Sequence, residues 1–292
     1  MKENLERKSK LMAARLRKLI GKKCIAMPGT FNAATARLIE QVGFEAVYVS
    51  GAGLSNATAG VPDIGLLSRV EVTALAGYVA AAVGIPALAD ADTGFDGPGE
   101  TVERFTRAGL AGMQIEDQVS AKRCGHLAGK KLVSAAVMTA RIVSASEGRG
   151  RGNFVIVART DARSVEGFDS AVKRARKYLD AGADVIFPEA LETEDEFAEF
   201  ARRIRAPLLA NMTEFGKSPL LDLGWLGRMG YRLAIFPQTA FRVAMKAQEI
   251  ALRDLRKFGT QKGILKRMQT RQELYQLLQY NPAVGIWKGT KP

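Results

Sequence analysis

Histidine occurs once in the chain, at His126, and cysteine twice, at Cys24 and Cys124. Two thiols are too few for a disulfide scaffold and form at most one bridge, so both read as reduced. A lone histidine leaves zinc without its usual imidazole partners. No apolar run approaches the length of a membrane span, and the opening MKENLERKSKLMAARLRKLI lacks the apolar centre of a secretory signal. The expectation is a cytoplasmic enzyme with no membrane attachment. No GxGxxG follows the first apolar run, no Walker sequence is present, and no zinc-finger or aromatic RNA-binding motif occurs.

At 292 residues, 47% hydrophobic and 25% charged, the chain has the composition of a folded α/β protein with a full core. Its formal charge of +13 would suggest nucleic acid if it lay along one module. Instead it is concentrated. Residues 1–23 carry nine Lys/Arg against Glu3 and Glu6, and residues 242–271 carry nine against Glu249 and Asp254, so the remainder of the chain nets −1. Both segments have helical patterns, which favours solvated or subunit-facing helices over a DNA-binding surface.

Eight short apolar runs punctuate the middle: CIAMPG (24–29), EAVYVSG (45–51), IPALADAD (85–92), AGMQIED (111–117), FVIVARTDA (154–162), ADVIFPEA (183–190), APLLANM (206–212) and YRLAIFP (231–237). Continuous rather than alternating hydrophobicity marks strands covered on both faces, and the amphipathic stretches between them are long enough for crossover helices. Five runs follow a glycine turn (QVGFE, AVGIP, RAGLAG, DAGAD, RMGYR), where a helix ends and a strand begins. Eight such units predict a TIM (β/α)8 barrel over 24–241, with an N-terminal helical arm at 1–23 and C-terminal helices and a tail at 242–292, all one domain.

A barrel of this kind gathers its chemistry where the strands end. Those ends carry Ser50, Asp90 and Asp92, Glu116 and Asp117, Arg159 and Asp161, Glu189, and Asn211. Asp90 and Asp92 share a side if the strand stays extended. With Asp63 and Glu116 they would surround a hard divalent cation, Mg2+ above all, with Mn2+ an alternative. Arg159 suits a carboxylate of a small anionic substrate, and Arg242 and Arg271 are positioned to close over the same side. SGAG at 50–53 supplies closely spaced backbone donors.

The loop QIEDQVSAKRCGH (114–126) follows the fourth run. Lys122, Arg123 and His126 beside Cys124 favour its thiolate, and Gly125 permits an exposing turn, while Cys24 reads as a core thiol. A cation and a mobile thiol suggest lyase chemistry on an oxyacid. No lysine ends a strand, which disfavours Schiff-base aldol chemistry, and no second histidine supports a covalent acyl enzyme. A phosphate-binding barrel is disfavoured by the acidic exits, and a non-enzymatic scaffold leaves the clustered acids unexplained.

YVSGAG, GVPDIG, DADTGF, IEDQVSAKRCGH, ARTDA, FPEA and NMTEFGKSP together resemble the isocitrate lyase and phosphoenolpyruvate mutase superfamily, from about residue 10 to 280, and most closely its short methylisocitrate-cleaving branch. The resemblance implies Mg2+-dependent cleavage of 2-methylisocitrate to pyruvate and succinate. It implies metal-site carboxylates at Asp63, Asp90, Asp92 and Glu116, with Asp90 the direct ligand. Ser50, Gly51, Ala52 and Arg159 would hold the pyruvate portion, and Gly125, Glu189, Asn211, Thr213, Arg242 and Arg271 the succinate portion. Ala52 departs from the family's usual glycine. Tyr48, ionised near the cation, would take the substrate hydroxyl proton, and Cys124 would protonate the succinate carbon. The resemblance also implies a homotetramer built from dimers, with the eighth helix exchanged between subunits. Related lyases acting on dimethylmalate, isocitrate or oxaloacetate, or a carboxyphosphonoenolpyruvate phosphonomutase-like enzyme, would reuse the same machinery.

Overall fold

Each of the eight apolar runs forms a strand: β1 Ile25–Thr30, β2 Val47–Val49, β3 Ala87–Asp90, β4 Gly112–Glu116, β5 Val155–Thr160, β6 Val185–Pro188, β7 Leu208–Asn211 and β8 Tyr231–Phe236. In this computed structural model, which describes residues 2–123, 125–127 and 129–288, they pair in parallel and in sequence order, and β8 closes on β1. The registers Glu116↔Arg159 and Thr160↔Pro188 bring neighbouring strand ends to one rim.

Burial explains the unbroken hydrophobicity. Along β5, Val155 and Val157 point into the barrel with Leu88, Phe187, Leu209 and Leu233, while Ile156 and Ala158 point outward to the helices. Side chains alternate between two apolar environments, so no strand position needs to be polar until the rim. The connecting helices are α2 Ala33–Val42, α3 Gly51–Leu54, α4 Arg69–Ala82, α5 Pro98–Arg107, α6 Ala135–Arg149, α7 Phe168–Asp180, α8 Glu194–Arg203 and α9 Leu223–Met229, preceded by α1 Lys2–Ile20. Most of the connecting helices start on a side-chain cap, as at Ser68, whose hydroxyl and Glu71 form a reciprocal capping box, while α5 and α7 start on glycine without one. Gly43 and Gly230 end α2 and α9 at φ 103° and 104°, a conformation that L side chains rarely adopt.

The N-terminal arm differs from the solvated or subunit-facing helix expected from its charge. Ala13, Leu16 and Ile20 of α1 are buried with the inner strand residues and close the floor of the barrel. The Ser9 hydroxyl donates to the Leu110 carbonyl at 2.5 Å, and Arg17 pairs with Asp184 at 2.8 Å. Its lysines and arginines occupy the other face, so an amphipathic helix serves both demands. Beyond β8 come α10 Thr239–Phe258 and α11 Arg271–Leu277, then a two-stranded hairpin of β9 Tyr280–Asn281 and β10 Ile286–Trp287. No residue of α10 is buried, and Val243, Leu252 and Phe258 are exposed on it.

Candidate active site

The C-terminal rim surrounds a cavity of about 700 Å³. Tyr48, Ser50, Ala52, Asp63, Asp90, Glu116, Gly125, Arg159, Glu189, Asn211, Thr213 and Arg242 all line it. Residues up to 194 positions apart in sequence thus share one wall, because the parallel strands all end at this rim. Three of the expected residues are placed differently. Gly51 lies behind the wall against Asp90, where a Cβ would stand 2.9 Å from Oδ2. Asp92 adopts φ 50°, so the extended geometry ends at Asp90 and the two aspartates do not continue one strand face. Arg271 opens α11 and borders a separate hollow with Tyr275 and Tyr280, away from this rim within the one chain. Cys124 lies outside the described residues.

One side of the cavity is acidic. Asp63 lies 2.7 Å from the Lys122 ammonium, Asp92 bonds the same ammonium, and Asp90 and Glu116 add their charges to it. Lys122 was expected to favour the cysteine thiolate. Instead its side chain is spent on the four carboxylates. Burial opposes its charge, but those acids outweigh burial and push its pKa well above the usual range. Burial likewise raises Asp90 to about 6 against the pull of Lys122, with Asp92 and Asp63 pushing in the same upward direction. Glu116 is raised well above the ordinary range by burial, against Arg159 and Lys122.

Among the described residues, no three His, Cys, Asp or Glu side chains form a ready-made metal cage. The donor chemistry nevertheless fits a divalent ion that keeps much of its water. All four groups are hard oxygen donors, their common focus already holds a cation in the Lys122 ammonium, and Glu116 Oε1 is buried without a hydrogen-bond partner.

The other side is organised around Arg159. Its guanidinium bonds Asp161 through Nε at 2.9 Å and Nη2 at 3.0 Å, meets Glu189 at 3.0 Å and Glu116 at 3.4 Å, and lies over the Phe187 ring. It is therefore an ion-pair hub as well as a cavity wall. Glu189 turns into the site just before Ala190, which takes φ 57°. Burial alone would raise the Glu189 carboxyl, but Arg159, His126 and Lys130 hold it well below the usual carboxylate range. His126 Nε2 meets Glu189 at 3.0 Å while Nδ1 accepts from the Lys217 amide at 2.9 Å, which places the ring proton on Nε2. Gly125 passes so close that a Cβ would stand 2.2 Å from Arg159 Nη2.

Tyr48 does not stand as the ionised base expected from sequence. Its hydroxyl donates to Gln114 Oε1 at 2.7 Å, and burial, with Asp90 adding to it, pushes the phenol well above its usual range. Ser50 spends its acceptor capacity capping α3, accepting from the Gly53 amide at 3.1 Å. Gln114, overlooked at the level of sequence, bridges Tyr48 and Asp90, with 3.3 Å from its Nε2 to Asp90 Oδ1. A polar amide inside the otherwise apolar GMQI was its signal. Lys130 and Gln118, buried behind the loop, had no comparable signal. Asp117, grouped with the strand-end acids, faces away from the cavity to Thr160, Tyr178 and Arg174.

A closed eight-stranded parallel barrel whose strand ends bring acids and a guanidinium into one mouth has the architecture of a TIM-barrel enzyme. The chain matches the family described as phosphoenolpyruvate phosphomutase over residues 16–256, and it belongs to that family. It is 50% identical over 273 residues to the 2-methylisocitrate lyase of Aeropyrum pernix, an alignment covering 91% of this chain and 87% of that one. Among solved structures it resembles a 2,3-dimethylmalate lyase of the PEP mutase/isocitrate lyase superfamily, with a TM-score of 0.87, 35% identity and 91% of each chain covered. A phosphonopyruvate hydrolase in complex with oxalate and Mg++ matches with a TM-score of 0.81 at 27% identity, over 92% of this chain and 94% of that one. The superfamily implied by the sequence motifs is thereby borne out.

Proposed function

We propose that this chain is a Mg2+-dependent lyase that cleaves 2-methylisocitrate to pyruvate and succinate. The observation that carries the reading is the approach of the KRCGH loop to the acidic mouth: Lys122, Gly125 and His126 line the same cavity as Asp63, Asp90 and Glu116. The neighbours of Cys124 in sequence and a set of hard oxygen donors thus border one volume.

Asp90 would hold the ion directly, with Asp63, Asp92 and Glu116 acting through its waters. When bound, the ion supplies electrostatic stabilisation of the oxygen charge that develops on the pyruvate side. Arg159, with Ser50 and the backbone at Ala52, would orient that portion, while Asn211, Thr213 and Arg242, on the same cavity, would border the succinate carboxylates. Transfer of the substrate hydroxyl proton to a carboxylate on the acidic side of the cavity lets the carbonyl of pyruvate form as the carbon–carbon bond breaks. The electron pair of that bond stays on the succinate carbon, which takes a proton from the Cys124 thiol. Tyr48, protonated and bonded to Gln114, serves as a donor that orients rather than as the base.

We further propose a homotetramer built from dimers, in which α10 crosses to a neighbouring subunit. Support lies in a 20-residue helix with no buried residue and exposed Val243, Leu252, Leu255 and Phe258. Light scattering after size exclusion should give four chains, and a monomer at micromolar concentration would remove this part of the proposal.

A second reading, cleavage of 2,3-dimethylmalate, has support from the fold match to that lyase. Product release from each substrate, with and without Mg2+, separates the two: pyruvate from 2-methylisocitrate or dimethylmalate, glyoxylate from isocitrate, and pyruvate or oxalate from oxaloacetate. A tenfold preference in kcat/KM for any substrate other than 2-methylisocitrate would overturn the first reading.

A further inference from the structure

The residues on either side of Cys124 in sequence are each held by a buried side chain from an end of the same loop. At the leading end, Gln118 Oε1 accepts from the Arg123 amide at 3.0 Å and Gln118 Nε2 donates to the Arg123 carbonyl at 2.9 Å. One side-chain amide thus satisfies both backbone groups of residue 123, as a neighbouring strand would. At the trailing end, the Lys130 ammonium donates to the Gly125 carbonyl and to Asp161 Oδ1, the latter at 2.7 Å.

Neither side chain lines the cavity, and both are almost fully removed from solvent, Gln118 at 1% and Lys130 at 6% exposure. Their own positions are fixed by the barrel. Gln118 pairs with Leu132 in an antiparallel bridge, and Arg141 donates to the carbonyls of Glu116 at 3.1 Å and Gln118 at 3.0 Å. Asp161, the anchor of Lys130, is the carboxylate that grips Arg159. A buried ammonium is costly unless paired and hydrogen-bonded. Here the pairing runs from the substrate-facing arginine, through Asp161 and Lys130, to the loop backbone one residue from the cysteine.

We infer that Gln118 and Lys130 are positioning residues for the reaction: by gripping the backbone at 123 and 125, they fix the loop positions that flank Cys124 in sequence. The inference rests on the lyase reading, in which Cys124 is the proton donor. Displacement of a reacting group by about 1 Å can cost on the order of 10²-fold in rate while leaving binding intact.

The test uses Gln118→Met and Lys130→Met in the full chain, with kcat and KM for 2-methylisocitrate, the melting temperature, and hydrogen exchange over residues 119–127 of the free enzyme. Each variant should lose about 10²-fold in kcat with KM within about threefold, and exchange of the Arg123 amide should quicken at least about tenfold in Gln118→Met. Should Lys130→Met fail to fold, Gln118→Met, which exchanges one neutral side chain for another, decides the matter alone. A kcat within threefold of wild type, a loss expressed only in KM, or unchanged exchange at Arg123 overturns the inference and leaves the lyase reading standing. A wild-type enzyme inert toward 2-methylisocitrate overturns both, and that outcome is recognisable before any variant is measured.

Discussion

His126 Nε2 lies 3.0 Å from Glu189 Oε1, joining the only histidine of the chain, on the loop after β4, to the carboxylate at the end of β6. Glu189 holds Arg159 at 3.0 Å with its other oxygen, so one buried carboxylate serves both loop and wall. Glu189→Gln keeps the shape and removes the charge. Breaking a buried pair from one side costs about 3–5 kcal/mol, so the variant should melt several degrees lower and lose at least about 10²-fold in kcat/KM. Calorimetric unfolding with steady-state kinetics checks both, and a variant unchanged in each would show that the pair is dispensable.

Gly125→Ala isolates the loop from the barrel. The added methyl would stand 2.2 Å from Arg159 Nη2 and 2.6 Å from Glu189 Cγ, contacts that neither buried side chain can relieve by moving into solvent. The loop must lift instead. The expected outcome is a loss of about 10²-fold in kcat with the melting temperature within two or three degrees of wild type. Retention of full activity would place the working position of the loop elsewhere.

Asp90→Ala should abolish cleavage and weaken Mg2+ binding, whereas Asp92→Ala should retain binding through the remaining acids and water. The Asp90 carboxyl, raised by burial to about 6, adds a pH dependence of definite sign. Protons compete for the ionised form that a cation needs, so Mg2+ affinity should hold above that value and fall about tenfold per unit as pH drops below it. Titration calorimetry across pH 5–8 measures this, and equal affinity in wild type and Asp90→Ala would remove Asp90 as the direct ligand.

The two cysteines should separate by chemistry. Cys124→Ser replaces an acidic thiol with a far weaker acid, and the expected loss in kcat is at least about 10²–10⁴-fold with binding largely retained. Cys24, half buried beside β1, has its thiol pushed up to about 11 by burial, against the pull of Arg232. In the Cys124→Ser chain its alkylation should therefore be slow at neutral pH and rise about tenfold per pH unit until near 11. A kcat within threefold of wild type for Cys124→Ser would exclude it as the proton donor.

The barrel was legible because each strand is buried on both faces, which leaves an unbroken apolar run whatever the partner strand. Every strand end lies within two residues of the ends of the quoted runs. The polarity change at each run's C-terminal end likewise named Asp90, Glu116, Arg159, Glu189 and Asn211, all of which line the cavity. Arg271 was not legible in the same way, since it follows a complete barrel and its place depends on how α11 packs.

Local pattern thus determined the eight strands, the catalytic rim and the loop that bears the thiol, for periodicity and composition act over a few neighbouring residues. Only the tertiary structure decided which charge meets which. Lys122 faces Asp63 and Asp92 rather than its neighbour in sequence, Arg159 is shared among Asp161, Glu189 and Glu116, and Tyr48 donates to Gln114 instead of standing ionised. Apart from Arg159 and Asp161, which are near neighbours in sequence, such pairings join positions far apart in the chain. Barrel closure brings them within a few ångströms while removing the water that would otherwise screen them, so their partners follow from the closed geometry.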